Sequence, residues 1–350
     1  MKIGKKVAVV LMAVVMMSTM LTGCSFGNTA FKYGDIKVSL AEATVYAKVQ
    51  QYITESQYGS YFGDNMWKSE IEKGVTMEDS VKESTISQIK IIKVLNAHAA
   101  DKKVALTKEE KKTAKEQADA FMEGEAGKKV MEEAKADKEL IYNMYEENAL
   151  ASKVQQTIIS KVDTKVTDEQ AKVSTVYKLV FATKKTDTNG KEVTLSKEAQ
   201  KKQESKAKKA YRALKKGADI TALAQQYDIT DAADESFSKG KSLGGEAFET
   251  AVAKLKKGEF TPVIKDEEGY VIAKLVTEMD EKKTEENKET VLQERQTKAV
   301  KKEYDKWAKD LEKSWDYDKD VSKKYREDLK FKFGELTGTQ ATTAAPTTEK

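Results

Sequence analysis

The sequence predicts an α+β protein in which a helical domain is interrupted by an inserted α/β module, and three observations lead there. With 34% charged residues and only two prolines, Pro262 and Pro346, in 350 residues, the composition favours long helices over a turn-rich β-sandwich. Helical apolar spacing before about Lys165 gives way to two strand-like runs, VYKLVF at 176–181 and YVIAKLVTEM at 270–279, and then returns. The returning stretch carries Val300, Tyr304, Trp307, Leu311 and Trp315 on one stripe. A lone helix cannot bury such a stripe, and the N-terminal helices are the nearest partner.

In chain order, Lys2, Lys5 and Lys6 precede an apolar run from Val7 to Met20 and then Leu21-Thr22-Gly23-Cys24. This is the layout of a secretory signal peptide, expected over residues 1–23. The run is shorter than the roughly 20 apolar residues of a permanent span. The single cysteine stands where the bacterial lipobox, Leu-x-Gly-Cys, puts the residue that receives a diacylglyceryl group. Cys24 is therefore the expected lipidation site, heading a linker over 24–33, and two or more acyl chains there would anchor the protein stably to the bilayer. The expected location is extracytoplasmic, on the outer face of the cytoplasmic membrane.

The formal charge is +4, and the signal removes three lysines and no acid, which leaves the mature chain near +1. That balance, with arginine only at 212, 295 and 326, argues against a nucleic-acid partner. No cysteine remains for a disulfide, so packed cores must supply the stability.

The N-terminal helical domain is expected over 34–166. Ser39-Leu40-Ala41-Glu42 reads as a capping box, followed by Val45, Val49, Tyr52 and Ile53 at helical spacing. Ile86, Ile89, Ile92 and Leu95 mark a second helix, and Thr107-Lys108-Glu109-Glu110 caps a third that Gly124 and Gly127 break. One further helix is expected from about Met131 to Ile159, with Leu140, Met144, Ala151 and Val154 as core contacts.

The inserted module is expected over 173–279. After VYKLVF, a helix from Ser196 to Lys216 stops at Gly217, and Asp219 caps a short helix through Tyr227. A loop through Gly240 and Gly244-Gly245 leads to a helix with Phe248, Val252 and Leu255 inward, closed by Gly258, before the final strand. Residues 283–333 read as a C-terminal helix returning to the helical domain, and 337–350 as a disordered tail without apolar periodicity.

This layout resembles the PrsA-type foldase lipoproteins, with related architecture in the SurA chaperones. KKGADITALAQQYDIT at 215–230 is similar to a parvulin run of the type KGADFAKLAKEYST, and FETAVAKLKKGEFTPVIKDEEGYVIAKLV at 248–276 to FEDAAYKLKKGEVSDPVKTDYGYHIIKV. Lys165-Val166-Thr167-Asp168-Glu169 resembles the linker that leads into that module. The resemblance implies a helical chaperone domain, a parvulin-like module with a small antiparallel sheet and surrounding helices, unfolded or folding exported polypeptides as partners, and no cofactor. Dimerisation stays open.

Rotation about a prolyl bond meets a barrier of about 18–20 kcal/mol. An isomerase favours the twisted amide with an apolar grip on proline and polar groups around the bond. Parvulins use two histidines beside a Cys or Asp. Alignment of the first strand puts Tyr177 at one histidine position and alignment of the last puts Val271 at the other, while the Cys or Asp position falls on Thr230 or Asp231. The family's GDLGWF turn is replaced by ESFSKGKSLGG at 235–245. Phe248 and Phe237 match the aromatics of the proline pocket and Leu243 stands near its methionine; all three equally suit ordinary core positions.

Other chemistries find no support. His98, the only histidine, has no nucleophile motif near it and no Cys or second His to share a metal, and Gly244-Gly245 lacks the flanks of a phosphate loop. Three functional readings follow: a membrane-tethered chaperone with weak or lost isomerase activity, an active prolyl isomerase using Tyr177 and Thr230 or Asp231, or a non-catalytic envelope interaction lipoprotein.

Overall fold

The structure, a computed structural model, describes residues 28–187, 192–238, 240 and 245–338. The signal segment, Cys24, Leu243 and the tail from 339 lie outside them. The chain forms two compact units, one ending at Val162 and resuming at Gln296, the other Asp163–Arg295. Among the described residues no helix is long and apolar enough to cross a membrane.

The discontinuous unit opens with an antiparallel hairpin, β1 (Thr29–Tyr33) and β2 (Ile36–Ser39), and continues into α1 (Leu40–Phe62). A second hairpin, β3 (Glu70–Glu72) and β4 (Val75–Thr76), precedes α2 (Met77–Ala97), α3 (Lys108–Glu123), α4 (Glu125–Ala134) and α5 (Lys138–Ile159). Both hairpins are additions to a domain the sequence reads as helical throughout.

Helix starts follow the capping chemistry. Thr76 with Asp79 and Thr107 with Glu110 form reciprocal boxes. At Ser39 only the hydroxyl half resembles the expected box: Ser39 Oγ accepts from Glu42 N at 3.1 Å, while the Glu42 carboxylate pairs with Lys93 at 2.7 Å. Gly124 ends α3 as expected, but Gly127 breaks nothing. It lies within α4, where a Cβ would overlap the carbonyl of Phe121. The single helix expected from Met131 to Ile159 is two, because Lys135 turns left-handed (φ 52°) and Asp137 caps α5.

The second unit runs α6 (Asp168–Ala171), β5 (Val173–Ala182), β6 (Lys184–Thr186), β7 (Glu192–Thr194), α7 (Lys197–Leu214), α8 (Ile220–Gln226), β8 (Asp234–Ser238), α9 (Gly245–Val252), β9 (Ile264–Lys265) and β10 (Gly269–Thr277). Its sheet is antiparallel in the order β8-β5-β10-β9. Side chains alternate across a strand, so each face builds its own core. Leu179, Phe181 and Ile272 pack with Ala207, Ala210 and Leu214 of α7 and Leu223 of α8. Val176, Val271, Ala273 and Leu275 pack with Phe237, Phe248 and Val252. Gly269 (φ 153°) opens β10 where a Cβ would overlap the Phe181 carbonyl, so a side chain there would pry the central strands apart.

α10 (Glu281–Ser314) begins in the second unit, where Arg295 donates to the Lys165 carbonyl at 2.9 Å and to Gln170 Oε1 at 2.8 Å. Its later turns belong to the first unit, and Val300, Tyr304, Trp307 and Leu311 pack on that unit's core. Trp315 stands edge-on to Phe31 and Tyr33, with centroids 5.6 and 5.4 Å away. The helix stops at Ser314 and does not run to Phe333. Asp316 caps a short α11 (Tyr317–Asp320), Val321 bridges to Phe31, and residues 329–337 lie as an irregular strap along α1 and α2. An irregular backbone can be buried there because side chains of α1 and α2 satisfy its polar groups.

Candidate functional site

β5 and β10 fix where the residues singled out from the sequence stand. Val180 pairs with Val271, so the two share a face, and Tyr177, three residues from Val180, belongs to the other. Val271 is fully buried with Phe237 (9% exposed) and Phe248 (3% exposed), whose rings meet edge-on at 6.1 Å. Tyr177 is half-buried against the opposite core, together with Ile229 and Ala232. Thr230 and Asp231 lie between those two in an exposed turn that follows Asp228 (φ 56°). The structure thus brings Phe237, Phe248 and Val271 together and keeps Tyr177 across the sheet from them.

One polar group on the Val271 face is a residue that sequence reasoning passed over. Lys178 pairs with Ala273, which is in that core, and its ammonium lies 2.9 Å from both Glu235 and Glu268. Burial works against its charge, but the two carboxylates outweigh it and hold the Lys178 pKa above its ordinary value. A lysine inside the apolar run VYKLVF was the available signal.

A concave site lies in the helical unit. A cleft of about 570 Å³ opens between α1, α3 and α5, within the usual range for ligand sites. Val45, Val49, Ile53, Phe121 and Met144 give it apolar walls. Polar groups line it too: Lys153 pairs with Glu110 at 2.5 Å, and Gln50 donates to Gln88 at 3.0 Å. Asn148 donates to Tyr46 Oη and to the Met144 carbonyl, both at 2.8 Å, while its Oδ1 is buried without a hydrogen-bond partner. Burial pushes the Tyr46 and Tyr145 hydroxyls up, so both stay neutral donors. Such a mixture can hold an apolar segment and also satisfy its amides. The sequence reading took Met144 as core; Asn148 and Ser152, four and eight residues on, put polar groups on the same helical face and were the signal missed.

His98 is stacked on Trp307 (4.6 Å, 5° between planes) with Nδ1 2.6 Å from Asp101, a packing role. Among the described residues no group of His, Cys, Asp and Glu is placed to hold a metal ion.

Residues 184–289 match the PPIC-type PPIase domain family, a stretch that starts after Tyr177 and includes Phe237, Phe248 and Val271. No curated protein matches the chain. Among solved structures it is similar to the peptidylprolyl isomerase PrsA from Bacillus cereus, at 23% identity over 74% of this chain and 91% of that one, with a TM-score of 0.42. It is also similar to PrsA from Bacillus subtilis (20% identity, 77% and 100% covered, TM-score 0.23). A structure of SurA-like chaperones from Campylobacter jejuni matches at 11% identity, with 71% and 90% covered and a TM-score of 0.24.

Proposed function

From the premise that this chain carries a parvulin-type (PPIC-type) PPIase domain inserted in a helical unit, we propose that it is an extracytoplasmic foldase of the PrsA type whose main activity is to hold unfolded polypeptides. The observation that carries this reading is the amphipathic cleft between α1, α3 and α5, in a unit that lies outside the matched domain. The separation of Tyr177 from Val271 supports binding over efficient isomerisation. Localisation rests on the sequence: a signal peptide over 1–23, and a lipid on Cys24 that tethers the protein to the outer face of the cytoplasmic membrane.

The mature chain, made soluble by Cys24→Ser, is expected to suppress aggregation of a chemically unfolded reporter protein at a few-fold molar excess. Unaltered light scattering at that ratio would remove the chaperone reading. In cells, Cys24→Ser is expected to release the protein into the medium. The match to an isomerase family favours a second reading, a working prolyl isomerase. NMR exchange spectroscopy on a proline-containing peptide decides it, comparing wild type with Tyr177→Phe and Phe248→Ala: catalysed exchange that both variants reduce supports catalysis at the sheet, and exchange equal to the peptide alone rejects it.

A further inference from the structure

Helix α7 carries a charge pattern that sets it apart from the other long helices. Its 18 residues hold seven bases and two acids, whereas α3 holds four and five, and α10 ten and nine. Lys215 and Lys216 extend the basic run into the turn before Gly217. In a mature chain with a net charge near +1, this is a strong local excess. At about 100° per residue, Ala207, Ala210 and Leu214 share the inward face and pack under the sheet. The nine bases from Lys197 to Lys216 fall on the opposite half of the helix, and all are exposed.

The arrangement costs the helix stability. Lys197 and Lys201, Lys202 and Lys206, Lys208 and Arg212, and Arg212 and Lys216 are like-charged neighbours four positions apart, each unfavourable. Lys197 also opens the helix, at the end where the macrodipole disfavours a cation. Two surface pairs offset little of this: Lys202 with Glu198 at 3.2 Å and Lys208 with Glu204 at 2.5 Å. Lys201, Lys206, Lys209, Arg212 and Lys216 have no acidic partner among the described residues. Packing requires only the apolar positions, and glutamate would suit the outer face as well as lysine does. The fold therefore does not explain the excess.

Lysine is a flexible point charge, and a row of lysines on a convex helix suits an extended anionic surface better than one small anion. Basic clusters on amphipathic helices bind anionic lipid headgroups in this way. Because the apolar side of α7 is already covered by the sheet, the helix can lie on the headgroups but not enter the hydrocarbon. The lipid expected on Cys24 brings the chain to such a surface, and a basic patch is the usual second signal beside an acyl anchor.

We propose that the outer face of α7 docks the inserted module on the anionic headgroups of the bilayer. α7 covers the Leu179 side of the sheet, so docking directs the side that carries Phe248 and Val271 away from the membrane. The choice of a bilayer over a soluble polyanion rests on the tether read from the sequence.

The probe is a phosphatidylcholine vesicle containing about one-third phosphatidylglycerol, mixed with the full mature chain carrying Cys24→Ser and sedimented. Binding is expected to be at least ten-fold tighter than to pure phosphatidylcholine, and to fall at least ten-fold between about 0.05 and 0.3 M salt. Combining Lys201→Gln, Lys209→Gln and Lys216→Gln should weaken it at least ten-fold, since each lysine near a charged surface contributes about five-fold. The same change at Lys302, Lys306 and Lys309 of α10 should leave it within about two-fold. Equal affinity for charged and neutral vesicles, or an α7 variant that binds as wild type does, overturns the proposal. If that variant fails to fold, the salt series on the unaltered face decides, and binding that salt does not weaken overturns the proposal. Binding to soluble polyphosphate without binding to vesicles also overturns it. Orientation has its own readout, because the chain with Cys24→Ser has no other cysteine. A nitroxide-headgroup lipid should quench a fluorophore at Ser205→Cys, on the outer face of α7, at least two-fold more than one at Glu246→Cys on α9. Equal or reversed quenching overturns the docking. Vesicle binding by a protein whose Cys24 mass spectrometry finds unlipidated rejects the tether and keeps the basic face, whereas a lipidated Cys24 without vesicle binding rejects the face alone.

Discussion

On the Val271 face of the sheet, three of the residues that align with a prolyl pocket close on each other: Phe237 and Phe248 meet ring to ring and Val271 is fully covered. In the helical unit the interior is treated differently, with Lys48, Lys82 and Glu55 held under cover and a cleft left open beside α5. In the unit that matches an isomerase family, the described candidate residues on this face are thus apolar packing, while in the unit outside the match polar and apolar groups line an open cleft. The difference teaches that residues singled out by alignment can serve as packing, and that binding is better sought where polar groups face space.

The largest expected effect separates packing from pocket. Phe248→Ala should destabilise the second unit by about 3–5 kcal/mol, the usual range for a buried phenylalanine, in urea denaturation followed by circular dichroism. A stable variant with weakened client binding would make Phe248 a pocket residue and undo the contrast.

In the helical unit the matching test is Lys93→Met. Lys93 lies 2.7 Å from Glu42 and also pairs with Glu147. Removing one partner of a buried pair costs about 3 kcal/mol or somewhat more. Burial holds the Glu42 carboxyl above its usual range. An acid with a raised folded-state pKa costs stability above its unfolded pKa and returns it as pH falls through the folded value. The Lys93→Met deficit should therefore be larger at pH 7 than at pH 5, and equal deficits would show that Glu42 has found another cation.

The double variant Tyr177→His with Val271→His restores the family's residue types. Because the positions lie on opposite faces, prolyl exchange measured by NMR should not rise, and stability should fall by about 2 kcal/mol from the imidazole buried at Val271. A catalytic gain would mean the sheet register differs from the one described. The smallest effects are the helix caps: Ser39→Ala on α1 and Ser196→Ala on α7 should each cost about 1 kcal/mol. Calorimetry that assigns each loss to its own unit would sharpen the view of two separate cores.

Much of the fold was legible because it rests on short-range rules. The strand pair VYKLVF and YVIAKLVTEM, the Thr107 box and the α10 stripe all follow from periodicity and capping. The β1–β2 hairpin carried a signal that was not used, since Phe31 and Tyr33 alternate with Lys32 before Gly34-Asp35. The strap carried none: it has no periodicity, and its order comes from side chains more than 200 positions away in the chain, such as Lys82 reaching Leu329 and Lys129 reaching Glu335. The candidate site failed to be legible for a similar reason. Which face Tyr177 takes relative to Val271 depends on strand register, a tertiary quantity that aligning each strand separately does not contain.

Trp67, Trp307 and Trp315 are the chain's three tryptophans, and each belongs to the discontinuous unit: against Phe331, His98, and the Phe31–Tyr33 pair respectively. Indole emission is therefore silent about the inserted module, whose rings are all phenylalanine and tyrosine. An observer exciting at the red edge would watch one half of this molecule melt while the other stays dark, and could time the two events without adding any label.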